Sequence, residues 1–353
     1  MTDLVRIAHP RSEASALLGI QNRSLLDRNQ WDFGFWTVSD EAAADEAVSI
    51  LGRRGDGSWQ VESVQAGRSA SSTTKAVEDC ETMARAGSWI YVFGSQFGSK
   101  RGPLQPKRHF VMRFNESLAR HGDSAPKIDV DIVRRPFLLH RLINDALRRD
   151  GLDILPPKER LQRDMVDATR HRAKKESKSW QDVIRHGDTP INVEGATFLH
   201  GGHLLLGLRY PVTVDGHPIV VEIEGIDRFF VEDGLPEVIG FRVLENAGTN
   251  EDPTGIRELD CFHDVVHLIT GNLDSKAKES AIVADYPQGA SAPNEHWIVP
   301  LDPLQRGIVR ARGKRVRRFD SRSIEGLAIV RDHVWYVEDD EEIVLRGETL
   351  NSK

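Results

Sequence analysis

A chain of 353 residues has room for one large domain or two ordinary ones, and its 39% apolar and 29% charged residues suit a soluble protein with a real core. No run approaches the roughly 18 apolar residues that span a bilayer, and the opening MTDLVRIAHPRSEAS lacks the basic-then-apolar layout of a secretory signal, so a cytoplasmic protein with no membrane partner is expected. Cys80 and Cys261 are too few for a disulfide framework or a thiolate zinc site, and a net charge of −7 argues against nucleic-acid binding by the chain as a whole.

In chain order, the first strand-like runs are LVRIA (Leu4 to Ala8), ALLGIQN, FGFWTVSD, AVSILGRR and SWQVESVQ. Four segments can then be stacked: DCETMARAGSWIYVFGS, NVEGATFLHGGHLLLGLR, GIRELDCFHDVVHLITGN and SIEGLAIVRDHVWYVEDD. Each reads as a short strand, a tight turn and a second strand rich in β-branched and aromatic residues. Further runs follow the first three: RHFVMRF and KIDVDIV, then HPIVVEIEG and EVIGFRVL, then ESAIVADY with HWIVPLD or GKRVRRF. About four strands over about 60 residues is the repeat of a propeller blade with generous loops. The last repeat is short, with only EIVLRGE after its hairpin, and a closed all-β propeller would complete it by borrowing Leu4 to Ala8. This count gives five blades, or six if a loop hides one.

One segment departs from the strand period. Between 136 and 187 the spacing turns helical, as PFLLHRLINDALRR and then PPKERLQRDMVDATRHRAKKESKSWQDVIRH. Residues 134–187 carry +6, which leaves −13 on the remainder. The expected organisation is therefore blades over 1–135, a basic helical insertion over 136–187 and the remaining blades over 188–353. The bland reading of the insertion is a solvated charged face. The functional one is a lid or a docking element for a protein or nucleic-acid partner.

Aligning the four hairpins puts Glu81, Glu194, Arg257 and Glu325 in one column, each after an apolar residue. The first strand of a propeller blade lines the central channel, so these groups are expected to converge on one mouth. The returning ends of the second strands add Asp40, Ser95, Arg209, Asn272, Asp339 and Asp340. Clustered carboxylates repel unless something compensates. Arg209 and Arg257 offset part of the charge. A divalent cation held by Glu81, Glu194, Glu325, Asp40 and Asn272 would offset the rest, and an all-oxygen shell suits Ca²⁺ or Mg²⁺. The alternative is that the glutamates only brace neighbouring blades, with Gly195 and Gly326 permitting a close turn.

These residues carry a resemblance. EGLA (Glu325 to Ala328) and EGA (Glu194 to Ala196) resemble the motif of the phytase-like (esterase-like phytase) propellers. The longer strings GSQFGSKRGPLQPKRHFVMRF, GHLLLGLRYPVTVDGHPIVVEI and GIRELD are similar to an uncharacterised bacterial domain family of predicted propellers. The resemblance runs from Glu78 to Glu342, the helical segment excepted, and implies glutamates facing a central site and phosphoester or ester hydrolysis. Thr82 and Glu258 depart from it, standing where the motif has glycine.

Two function classes follow from the residues: a metal-assisted hydrolase of a small phosphorylated or carboxylated ester, or a non-enzymatic propeller scaffold. For the first, Lys100 and Arg101 in the loop after Ser95 would join Arg209 and Arg257 around a small anionic ligand. His109 and His263 are candidate bases. No GxSxG elbow, HExxH helix or Walker loop occurs, and the HGGH of residues 200–203 reads as a hairpin turn. RARGKRVRRF (Arg310 to Phe319) is a dense basic run, either a phosphate grip or an outer strand with solvated arginines.

Overall fold

A computed structural model describes residues 3–7, 14–121, 125–275, 279–300, 305–321, 323–338 and 342–349. The chain forms two compact units, one of Met1–Phe93, Val111–Val133 and Ser323–Lys353, the other of Gly94–Phe110 and Arg134–Arg322.

The first unit is built on three sheets. One runs Leu18–Gly19, Trp31–Val38, Val48–Arg54, Trp59–Ser63 in that spatial order. The second runs Cys80–Ala86, Trp89–Gly94, Phe110–Asn115, Pro126–Arg134, with Gln65–Arg68 added parallel to its last long strand. The third runs Ile324–Val330, His333–Glu338, Ile343–Thr349 and then Asp3–Ile7. Phe35 and Leu51 of the first sheet share one apolar core with Ala328, Trp335 and Leu345 of the third.

The expected borrowing of the N-terminal strand is observed. Asp3–Ile7 pairs antiparallel with Ile343–Gly347, Val5 opposite Leu345, while Ala8 lies outside the described residues. Ile7 is buried and Val5 half-buried, and the strand covers the edge of Ile343–Thr349. Deleting the first nine residues should therefore lower the melting temperature by about 5–10 °C, from two lost apolar contacts and a bared edge. An unchanged melt would show that the strand adds nothing.

The second unit holds two sheets and the helices. One sheet runs Asn192–Phe198, Leu204–Tyr210, Ile219–Glu224, Glu237–Leu244, with Gly307–Ala311 parallel at its edge. The other runs Gly255–Phe262, Val265–Gly271, Glu295–Pro300, Lys314–Arg318, so HWIVPLD and GKRVRRF supply its third and fourth strands, while ESAIVADY, expected as a strand, holds the helix Ala281–Asp285 instead. Among the described residues the strands thus fall into five sheets, each with an antiparallel up-and-down core.

The aligned column has a structural counterpart. Register shifts fall between Val193 and Gly195, between Ile256 and Glu258, and between Ile324 and Gly326. Glu194, Arg257 and Glu325 are therefore each the extra residue of a β-bulge near the start of a first strand. A bulge leaves its residue out of the ladder and re-aims its side chain. The glycine that follows has a packing cause. A Cβ on Gly195 would stand 2.9 Å from the Glu258 carbonyl carbon and Leu259 nitrogen, and one on Gly326 would stand 3.1 Å from backbone atoms of Ala16 and Leu17.

The helical segment folds as Leu138–Asp150, a π-helical stretch Leu161–Asp167 and the α-helix Ala168–Lys175 that continues it. Its apolar residues do not form a separate core. Phe137, Leu161, Met165 and Trp180 pack with Phe97, Tyr210, Val212, Leu273 and Tyr286 from the loops and strand ends of the same unit. Asp285 accepts hydrogen bonds from the Arg160 and Leu161 amides at 3.0 and 2.9 Å, anchoring the start of the π-helical stretch. Asp188, with a fully buried side chain, accepts from Arg141 at 2.8 Å and from Arg148.

Candidate functional site

In the second unit, four of the residues singled out from the sequence meet. Glu194, on its bulge, receives Arg209 Nη1 at 2.8 Å and Asn192 Nδ2 at 3.2 Å on Oε1. Arg257, on the neighbouring bulge, places Nη1 3.3 Å from Oε2. Arg209 stands near the end of Leu204–Tyr210 and donates through Nε and Nη2 to the carbonyl and side-chain oxygens of Asn272, at 3.1 and 3.0 Å. Glu194 and Arg257 are each 4% exposed, so this is a desolvated ion cluster. Burial pushes the Glu194 carboxyl up, but the charges of Arg209 and Arg257 outweigh it and hold it below its usual value.

The first unit holds the other gathering. Asp40, just past the strand Trp31–Val38, meets Asp79 and Glu81, and one oxygen from each lies within 4.8 Å of the others. Asp79 is buried, with φ +72°, in the left-handed region that aspartate tolerates better than most residues, and its amide donates to the Asp40 carbonyl at 3.1 Å. Asp40 Oδ1 is a buried atom without a hydrogen-bond partner. Between the two acids, the Cys80 thiol is pushed well up by burial and by Asp79, Glu81 and Asp40, which keeps it a neutral packing residue. Asp79 was missed in the sequence. Its signal was a second acid two residues before Glu81.

The remaining residues are placed as follows. Glu325 occupies its bulge in the first unit, half-buried. Asp339 and Asp340 lie outside the described residues. Lys100 approaches Asp274 at 3.9 Å, Arg101 pairs with Glu279, and the Ala281 amide donates to the Lys100 carbonyl at 2.8 Å, so this loop is held to Asp274, Glu279 and Ala281. His263 is exposed in the turn after Gly255–Phe262, at the far end of that strand from Arg257. His109 is fully buried against Phe137, ring centroids 4.1 Å apart, and next to His140. Burial, with His140, Arg134 and Arg108, holds its imidazole well below the usual range and so neutral. On the helical segment, the basic residues pair locally: Arg163 with Glu159 at 3.0 Å, Arg172 with Glu176 at 3.2 Å and Arg170 with Asp167 at 3.3 Å.

Comparison with known proteins adds similarities of shape. No family model matches the chain, and no curated protein matches it by sequence, so the phytase-like resemblance has no family match behind it. Among solved structures, the chain is similar to an exo-1,5-alpha-L-arabinanase from a bovine ruminal metagenomic library, at 10% identity over 89% of each chain with a TM-score of 0.39. It is also similar to a glucose dehydrogenase, at 9% identity over 98% of each chain with a TM-score of 0.36. A third is the Cps50 (Swd1) beta-propeller domain of Myceliophteria thermophila, at 11% identity over 99% of this chain and 89% of that one, with a TM-score of 0.31. No helix among the described residues is long and apolar enough to cross a membrane.

Proposed function

We propose that the sheets are propeller blades and that the chain is a metal-assisted hydrolase of a small phosphorylated or carboxylated ester, with its cation at Asp40, Asp79 and Glu81. The observation that carries this reading is the approach of three carboxylate oxygens to within 4.8 Å of one another, one residue of the three offering a buried oxygen without a partner. Three negative groups at that separation repel in a partly desolvated site, and a hard divalent cation is the simplest compensation. The donor set is oxygen only, which suits Ca²⁺ or Mg²⁺ rather than zinc. When bound, such an ion polarises an ester or phosphoryl oxygen and makes water a better nucleophile.

The chain's own residues supply position. Asp79 is fixed by its left-handed backbone and its bond to the Asp40 carbonyl, and Glu81 stands two residues on in the strand Cys80–Ala86. Glu194 and Asn272 already have their oxygens taken up by Arg209 and Arg257, so the cation is assigned to the first cluster alone. On the helical segment Arg163, Arg170 and Arg172 pair locally.

Millimolar Ca²⁺ or Mg²⁺ should raise the melting temperature by roughly 5–10 °C at about 100 times the dissociation constant, because the ion binds only the folded cluster. The double change Asp79→Asn with Glu81→Gln should remove that rise and leave the fold, since both replacements keep shape. Hydrolysis of an aryl phosphate or aryl ester should fall with the same variant and with a chelator. Equal melts with and without either ion in the unaltered protein would remove the metal from the proposal.

A further inference from the structure

We infer that the rim formed by Gly307–Ala311 and Lys314–Arg318 is a docking surface for the phosphodiester backbone of a nucleic acid, without readout of its bases. The basic run seen in the sequence folds as the edge strands of both sheets of the second unit, joined through Arg312 and Gly313. Six of the nine residues from 310 to 318 are basic: Arg310, Arg312, Lys314, Arg315, Arg317 and Arg318, and all but the half-buried Arg317 are exposed. Arg310 stands 3.5 Å from Glu245 and Arg315 2.9 Å from Glu295. Asp320 follows at the end of the run. The chain carries −7 in all, so these charges are concentrated here against the average rather than with it.

The fold also orders them. Arg315 lies opposite Trp297, Arg317 opposite His296 and Arg318 opposite Glu295, with the register shift leaving Val316 as a bulge. Cross-strand neighbours share a face, so the bulge puts Arg315 and Arg318 together on the face of Trp297 and Glu295. The Arg315 guanidinium lies over the Trp297 ring at 5.9 Å and that of Arg317 over Phe319 at 5.1 Å. Both rings are 5% exposed, so they brace guanidiniums and are closed to base stacking. What remains is a file of charges along strand edges, which fits a linear polyanion. A membrane surface would call for an apolar face beside the charges, and Val316 alone is large, apolar and exposed within the run. Edge strands do carry charge to block unwanted pairing, but that role predicts no salt-dependent binding.

The test is fluorescence anisotropy of the intact protein with a short labelled single strand and with the matching duplex. Binding should weaken roughly 100-fold between about 50 and 200 mM salt, with little preference for sequence. Arg312→Glu with Arg318→Glu, both on exposed edge positions, should weaken it at least roughly 10-fold at the lower salt and flatten the salt slope by about 2, with an unchanged melt. Arg170→Glu with Arg172→Glu in the helical segment should leave binding as it was. No binding at the lower salt, loss with the helical pair instead of the rim pair, or binding to anionic phospholipid vesicles but not to nucleic acid would each overturn the inference.

Discussion

Replacing Glu116 with alanine should cost the first unit about 3–5 kcal/mol and lower its melting temperature by roughly 10 °C. Glu116 is 3% exposed and joins segments far apart in sequence. Its Oε1 accepts from the Trp36 indole at 2.7 Å and the Gln21 amide at 2.8 Å, its Oε2 accepts from Arg85, and its own carbonyl accepts from Asn22 Nδ2 at 2.8 Å. Alanine removes the acceptor for the fully buried Trp36 and leaves the Arg85 guanidinium, 11% exposed, without its carboxylate. An uncompensated buried charge is the larger loss. Glu116→Gln keeps an acceptor for Trp36 and Gln21 and should sit between the two. A urea melt in which both variants match the parent would show that the cluster is energetically idle.

Excising residues 136–187 behind a short Gly/Ser linker is expected to unfold the second unit rather than trim it. Phe137, Leu161, Met165 and Trp180 are buried in the same core as Tyr210, Val212 and Leu273. At about 2 kcal/mol each, those four side chains alone approach the 5–15 kcal/mol that holds an ordinary domain together. Asp285 and Thr189 would also lose the helix partners that they bind at 2.8–3.0 Å. Loss of the cooperative melt, followed by circular dichroism, is the expected result. A shortened chain that keeps its β spectrum and melts sharply would make the helices an accessory.

Much of the strand pattern was legible because each hairpin carries β-branched and aromatic residues around a tight turn. The column of Glu194, Arg257 and Glu325 was legible too, and the structure supplies its reason as a shared bulge. What the sequence hid was company. The sequence reading had Arg209 and Arg257 offset part of the carboxylate charge, but spacing alone did not tell that both would meet Glu194, because ion pairs between distant strands leave no local period. The helical segment misled through its charge: its surface is basic, but its apolar positions are set by partners outside the segment, such as Phe97, Leu273 and Tyr286. Asp79 hid behind its neighbour, since a carboxylate before Cys80 looks like the end of a loop until its left-handed backbone is seen.

The pairing of Asp3–Ile7 with Ile343–Gly347 also sets a timetable. Val5 and Leu345 are about 340 residues apart, so on a ribosome adding 5–20 residues per second the first strand waits roughly 17–70 s for its partner. Through that interval the nascent chain carries an unmated strand while Arg134–Arg322, the longest continuous stretch of the second unit, is already out. The first unit, by contrast, stays incomplete until Ile343–Gly347 has been made. A chain that stops a few residues before Ile343 loses the one strand that pairs with both Asp3–Ile7 and His333–Glu338, and leaves Asp3–Ile7 open to capture by a neighbouring polypeptide.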